Sequence, residues 1–447
     1  MFRPILQKFS EKSPVTVMVQ GLLERILNAK KIDAWFENVG EVQYTRKILF
    51  SSLVSMMLQV VCKVKKNVYS AYLNSHIDAS RQAVYDKLKN IELKTTREMV
   101  VYVANEAKYI IQEIKGSYAP LLPGLTTQFI DGNCIESSEH RIQELRQTKA
   151  GALPGKSLVV FEPEFGLVTD LFPCEDGHAQ ERSLLKTVLE TVKEKDAWVA
   201  DRNFCTLEWM FGLHQKGAYF ILRQHGNTPY KPLSEKEFVG ETETGKVYEQ
   251  TVLLTYEKQE IQIRRIVIKL HKPTRNGDKE LGLFSNLERD KAGGVRVAEI
   301  YRKRWTIEIA FQKIESYLHS EINSLGYPKA ALFGFAMALV AFNLYAVVMS
   351  AIQAAHPDKN IQDEISDYYV ADEISSAYHG MMLIVEDEEW SVFTSCSLSE
   401  LGQALLKMAG NIQLKRFKKN KRGPKNPSPP KEKYKGQPHV STARLIS

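Results

Sequence analysis

The chain has 447 residues, enough for two or three domains with cores of their own. Its 44% hydrophobic and 25% charged content is that of an ordinary soluble globular protein, and five scattered cysteines without a CxxC pair exclude a zinc or disulfide framework. The net charge of +7 is gathered toward the C-terminus, which suits a polyanionic partner.

The N-terminal MFRPILQKFSEK lacks the apolar run of a signal peptide. Residues 1–115 read as helical, with amphipathic stretches at Thr16–Asn28 and Tyr44–Cys62. VYSAYLNSHIDASRQAVYDKLKNIE fits either a helix-turn-helix or a plain bundle; Ser80 or Asp78 would cap its second helix. From Ser117 the pattern changes. TTQFIDGNCI reads as a buried strand ending at Asp131-Gly132-Asn133. Ser157–Glu162 and Gly166–Phe172 read as a hairpin turned at Pro163–Gly166. Then come a helix over Gln180–Lys193, a short strand AWVA stopped by Asp201-Arg202-Asn203, a helix over Phe204–Gln215 and a strand over Ala218–Leu222. This alternation predicts an α/β core. Residues 224–287, rich in Thr, Val, Tyr and Ile, predict a β insertion.

Ala298–Glu321 predicts one uninterrupted helix with an apolar stripe and a Tyr301, Arg304, Glu308 line. Arg304 and Glu308 are spaced for a simple i,i+4 ion pair. Ala330–Ala355 carries no charge and is long enough to span a bilayer, yet its Gly334, Asn343 and Gln353 and its place after Glu308 point to a buried core helix. Residues 356–410 read as helical and acidic. From Lys415 the chain is basic and Pro-rich, with too few apolar residues for a core, and reads as a disordered tail able to bind phosphates or simply to solubilise.

Two aspartates, Asp131 and Asp201, each follow an apolar strand, and Glu308 lies on a later helix. In an α/β sheet, groups past the strand ends gather at one edge. Three converging carboxylates repel unless hard cations join them, and oxygen-only ligands suit Mg²⁺ or Mn²⁺, with two ions about 4 Å apart serving phosphodiester chemistry. A glycosidase could also use two of the acids, but aromatics do not cluster around them.

FIDGN at 129–133, VADRNF at 199–204, FSNL at 284–287 and EIYRKRWTIEIAFQKIE at 299–315 resemble bacterial insertion-sequence transposases of the DDE type, in the family with the Tyr-Arg-Glu-Lys signature (the insertion-sequence-four family). Tyr301, Arg304 and Glu308 match the signature; position 315 is Glu where the family has Lys, and Lys313 is the nearby lysine. The resemblance implies an RNase H-like catalytic core at 116–223 and 288–330, interrupted by the β-rich insertion. It implies a helical DNA-binding region at 1–115, a helical C-terminal region at 331–412 and a basic disordered tail at 413–447. Asp131, Asp201 and Glu308 become metal-binding catalytic acids for two Mg²⁺ ions, with Mn²⁺ as a substitute. Tyr301, Arg304, Trp305, Arg202 and Lys313 become DNA contacts, and Asn203 a supporting group. The implied function is metal-dependent strand cleavage and strand transfer by a homodimer bridging two terminal inverted repeats, in the bacterial cytoplasm on the nucleoid and without a membrane role. The alternative is a catalytically inactive, transposase-derived DNA-binding protein, favoured only by Glu315.

Overall fold

The computed structural model describes residues 3–42, 47–136, 151–274, 277–420 and 439–446. In chain order the strands are β1 (Thr126–Ile135), β2 (Gly151–Leu153), β3 (Gly155–Glu162), β4 (Leu167–Cys174), β5 (Asp196–Ala200), β6 (Tyr219–Arg223), β7 (Lys231–Pro232), β8 (Glu237–Thr242), β9 (Gly245–Tyr256), β10 (Gln259–Leu270), β11 (Glu280–Ser285) and β12 (His439–Ser441). Ten of them make one mixed, mostly antiparallel sheet in the order β4-β3-β1-β5-β6-β11-β10-β9-β7, with β8 on β9. Among the described residues of this sheet, β1-β5 and β5-β6 are the parallel pairs.

At its centre the sheet is covered on both faces, which is why β1 and β5 read as apolar runs. Phe129 and Ile135 face one core, with the helices Leu93–Glu113, Trp305–Tyr317 and Pro328–Ala355. Ile130 faces the other, against the helices Leu185–Thr191 and Leu207–Gln215. That alternation puts Asp131 on the face of the first core.

The β3-β4 hairpin turns where expected, at Glu162–Leu167, and Gly166 adopts a φ of +67° that glycine tolerates without a Cβ clash. The register shifts between Val160 and Phe161, leaving an extra residue, Thr169, on β4. Asn343 of the long apolar helix closes this irregularity, accepting from the Val168 amide at 2.9 Å and donating to the Val168 carbonyl at 2.8 Å. That helix, Pro328–Ala355, is long and apolar enough to cross a membrane, but 89% of its most apolar window is buried in protein. N-terminal and C-terminal helices pack around it in one shared core.

The structure differs from the sequence reading in four places. First, β1 does not end at Asp131: Asp131 through Ile135 continue antiparallel against Val159 through Gly155, and only the parallel partner β5 stops, at Phe129↔Val199. Second, the β-rich stretch 224–287 is continuous with the core sheet, because β11 pairs antiparallel with β6. Third, Ala298–Glu321 is two helices, Gly294–Lys303 and Trp305–Tyr317, abutting at Arg304. The amide of Arg304 bonds to Tyr301 O and that of Ile307 to Arg304 O, so the ladder tightens locally to i→i−3. Fourth, the end of the tail is ordered: β12 pairs with β2, and the Thr442–Ile446 helix follows. Residues 421–438 and 447 of that tail, and 44–46 of the expected Tyr44–Cys62 helix, lie outside the described residues; within 47–62 the helix runs Phe50–Val61.

Within 68–89 two helices, Val68–Leu73 and Arg81–Lys89, are joined by a seven-residue turn, and Ser80 caps the second by accepting from the Ala83 amide. The helix carrying Tyr301 is seated by a buried ion pair. Arg264 of β10 makes two bonds to Glu249 of β9, at 3.0 and 2.8 Å, and donates to the carbonyls of Leu287 and Ala292 just before that helix starts.

Candidate active site

The parallel register of β1 and β5 aligns Phe129 with Val199. Two residues beyond that last parallel pair come Asp131, still within β1, and Asp201, just past the end of β5, and the charge of Asp201 reaches Asp131. Asp201 ends the paired strand and caps a 3₁₀ turn, Arg202–Phe204, its Oδ1 accepting from the Asn203 amide at 2.7 Å.

The third acid arrives from above. Arg304, at the junction of the two helices, donates from Nη1 to Asp131 Oδ2 at 2.9 Å and from Nη2 to Glu308 Oε1 at 2.6 Å. The expected i,i+4 pair is therefore real, and it also reaches across to β1. The Arg304 side chain is buried, its guanidinium lies 5.9 Å from the Tyr301 ring centroid and 5.8 Å from that of Trp305, and its Nε has no partner. Burial lifts the Asp131 carboxyl to about 6; Arg304 and the Gly132 amide pull it down, while the charges of Asp201 and Glu308 push it further up. Burial also raises the Tyr301 phenol, against the pull of Arg304 and Arg223.

Asp131, Asp201, Glu308, Tyr301 and Arg304 thus form one cluster. Trp305 is 57% exposed at its edge. Arg202 is exposed on the turn after Asp201. Lys313 is not brought in: its ammonium is paired with Asp367 at 2.9 Å. The sequence reading missed Glu181, on a 3₁₀ turn at Glu181–Leu184, whose Oε2 accepts from Asn203 Nδ2 at 2.6 Å. Nothing in QERSLL distinguishes that glutamate from any other at a helix start. It also missed Arg223, whose charge reaches Tyr301.

The donors are carboxylates without imidazole or thiolate, the chemistry of a hard divalent cation. Among the described residues no three acidic, His or Cys side chains stand at metal-ligand spacing, since a guanidinium separates Asp131 from Glu308. The donor set fits such an ion, and Arg304 supplies the countercharge in this arrangement.

Residues 124–344 match the family described as "Transposase DDE domain". A Synechocystis protein named as a transposase for insertion sequence element IS4SA is 24% identical over 150 residues, 33% of this chain and 39% of that protein. A Sinorhizobium fredii protein named as transposase y4zB is 22% identical over 210 residues, 44% of this chain and 56% of that protein. The chain thus spans between two-fifths and three-fifths of the length of these curated relatives. The family match starts just before β1 and runs into the long apolar helix, so it takes in both aspartates and Glu308; the chain carries a DDE transposase domain.

Proposed function

We propose that the protein is an insertion-sequence transposase of the Tyr-Arg-Glu-Lys family, cutting and joining DNA at terminal inverted repeats. The observation that carries this is that Asp131 and Asp201 each lie two residues beyond the last parallel pair of β1 and β5, with Glu308 joined to Asp131 through Arg304. The sheet order β4-β3-β1-β5-β6, three antiparallel strands followed by two parallel ones, supports an RNase H-like core.

In this reading Asp131, Asp201 and Glu308 would hold two Mg²⁺ ions (or Mn²⁺), which supply charge to the attacking and leaving oxygens of a phosphodiester. Burial and the neighbouring charges keep Asp131 partly protonated near pH 6, so it binds a cation best above that. Arg304, once released from the carboxylates, offers a planar donor pair to a phosphate, with Tyr301 beside it. Trp305 presents an exposed ring to DNA, and Arg202 a charge next to Asp201. Lys313 reaches DNA only by leaving Asp367. A water oxygen bonds to phosphorus while the bond to the 3′ oxygen breaks; the water proton is lost to solvent and the 3′ oxygen gains one. The new 3′ hydroxyl then attacks a second phosphodiester in line, giving up its proton to solvent and displacing that strand's 3′ oxygen, which leaves as a hydroxyl, with no covalent protein intermediate. The N-terminal helices would read the repeats, the basic tail would add salt-sensitive affinity, and a homodimer on the nucleoid would hold two ends together.

The test is a supercoiled plasmid carrying the inverted repeats that flank the gene. Nicking at the repeat ends in Mg²⁺ and none in EDTA is expected. Repeat binding without cleavage would instead favour the inactive DNA-binding protein, the reading to which Glu315 lends itself.

A further inference from the structure

Glu181 stands on the far side of β1 from the acid cluster. Its Oε2 takes the side-chain amide of Asn203 at 2.6 Å, and the backbone amide of the same Asn203 donates to Asp201 at 2.7 Å. The two 3₁₀ turns, Glu181–Leu184 and Arg202–Phe204, are thereby tied by a charge-assisted bond. Gly132, the residue after Asp131, lies against the Glu181 side chain. A Cβ on Gly132 would lie 2.1 Å from Glu181 Oε1, so the carboxylate fits against the strand only because that position is glycine. Past Phe129↔Val199 no ladder holds β5 to β1. Ala200, just before Asp201, is still held by its ladder to Leu222 of β6, so the turn that follows Asp201 is what remains to set that carboxylate against Asp131, and the Glu181–Asn203 bond fastens that turn beside Gly132.

We infer that Glu181 is a positioning residue: through Asn203 it sets where the Asp201 carboxylate stands, and so the affinity of the site for a divalent cation. The inference rests on the functional reading above. A group that orients a metal-binding carboxylate typically carries a 10–100-fold effect on metal affinity.

The test measures Mn²⁺ binding to the full chain without DNA, by calorimetry and by the Mn²⁺ spin-resonance signal, with thermal unfolding of the metal-free protein alongside. Glu181→Ala and Asn203→Ala are expected to weaken Mn²⁺ binding on the order of 10–100-fold, and the double variant no further than either alone. Glu181→Gln keeps an acceptor for Asn203 and should stay within about threefold of wild type, far less than an outer-ligand loss. Gly132→Ala pushes away only the flexible end of Glu181, so it should reproduce Glu181→Ala with the metal-free unfolding temperature little changed. Wild-type affinity in Glu181→Ala would overturn the inference and leave the functional reading standing. So would Glu181→Gln as weak as Glu181→Ala, since the charge would then act directly on the ion. A wild-type protein that takes up no Mn²⁺ would overturn the functional reading, and this inference with it.

Discussion

Arg304 Nη1 stands 2.9 Å from Asp131 Oδ2, the two side chains being 8% and 19% exposed. The same guanidinium holds Glu308, so one buried cation bridges two acids from opposite sides of the site. Removing it strands two carboxylates beside each other, and breaking a buried pair costs several kcal/mol. Arg304→Gln is expected to lose about 2–3 kcal/mol of stability in metal-free buffer. It should also regain more on adding Mg²⁺ than wild type does, because no arginine competes for the acids. Urea unfolding with and without Mg²⁺ measures both; equal Mg²⁺ responses in the two proteins would count against competition between Arg304 and the ion.

The Asp131 carboxyl sits at about 6 in the folded chain, against 3.8 as its ordinary value, burial being the main cause. The folded state thus binds this proton more tightly than the unfolded state. The group's stabilising contribution is complete below the ordinary value and is lost as pH rises through about 6. Asp131→Asn, which mimics the neutral form, should exceed wild-type stability at neutral pH by on the order of 2–3 kcal/mol, the gap closing in acid. Denaturation across a pH series checks the sign. Metal uptake by wild type should fall as pH drops through about 6, since the ligand must be ionised.

Asn343, fully buried on the Pro328–Ala355 helix, bonds both backbone groups of Val168. Asn343→Ala leaves an amide and a carbonyl unpaired at the extra residue of β4 and should cost about 2–4 kcal/mol. Asn343→Leu should do no better despite its greater hydrophobicity. A helix serving as a membrane span would instead tolerate or favour leucine, and the protein would partition into the membrane pellet.

The chain end is held by β12 on β2 and by Arg444, which donates twice to Asp176 Oδ2. That ion pair is largely solvent-exposed and contributes less than about 1 kcal/mol, so deleting residues 421–447 should lower stability more than Arg444→Ala does, because it also removes β12 with the buried Ser441 and Thr442. The same deletion removes a run of lysines and should weaken DNA binding uniformly across sequences, with a shallower salt dependence. A deletion that instead abolished binding to the repeat alone would assign the tail a part in sequence recognition.

What local sequence carries was readable in advance. Apolar runs mark β1 and β5, and the residue following each run is an aspartate of the proposed centre. The helix cap at Ser80 and the turn at Gly166 are set by neighbours a few residues away, and both were visible. What depends on distant partners was not. β1 continues past Asp131 because β3 is there to pair with it. The helix through Arg304 has no Pro or Gly to interrupt it, yet its ladder tightens where the guanidinium meets Asp131, 173 residues away in sequence. Lys313, expected as a DNA contact, is paired with Asp367 from a later helix. Glu181 acquires meaning only when two turns meet across Gly132.

The central claim is that Asp131, Asp201 and Glu308 act together in metal-dependent DNA cleavage. The most direct measurement compares wild type with Asp131→Asn, Asp201→Asn and Glu308→Gln on one repeat-bearing substrate, following binding and cleavage in the same sample. The account predicts that each variant binds the repeat as wild type does and loses cleavage by at least about a thousandfold, as expected when a group acting on the transition state is removed. Cleavage that survives in any one of the three would contradict it, and would show that the acid concerned lies outside the centre.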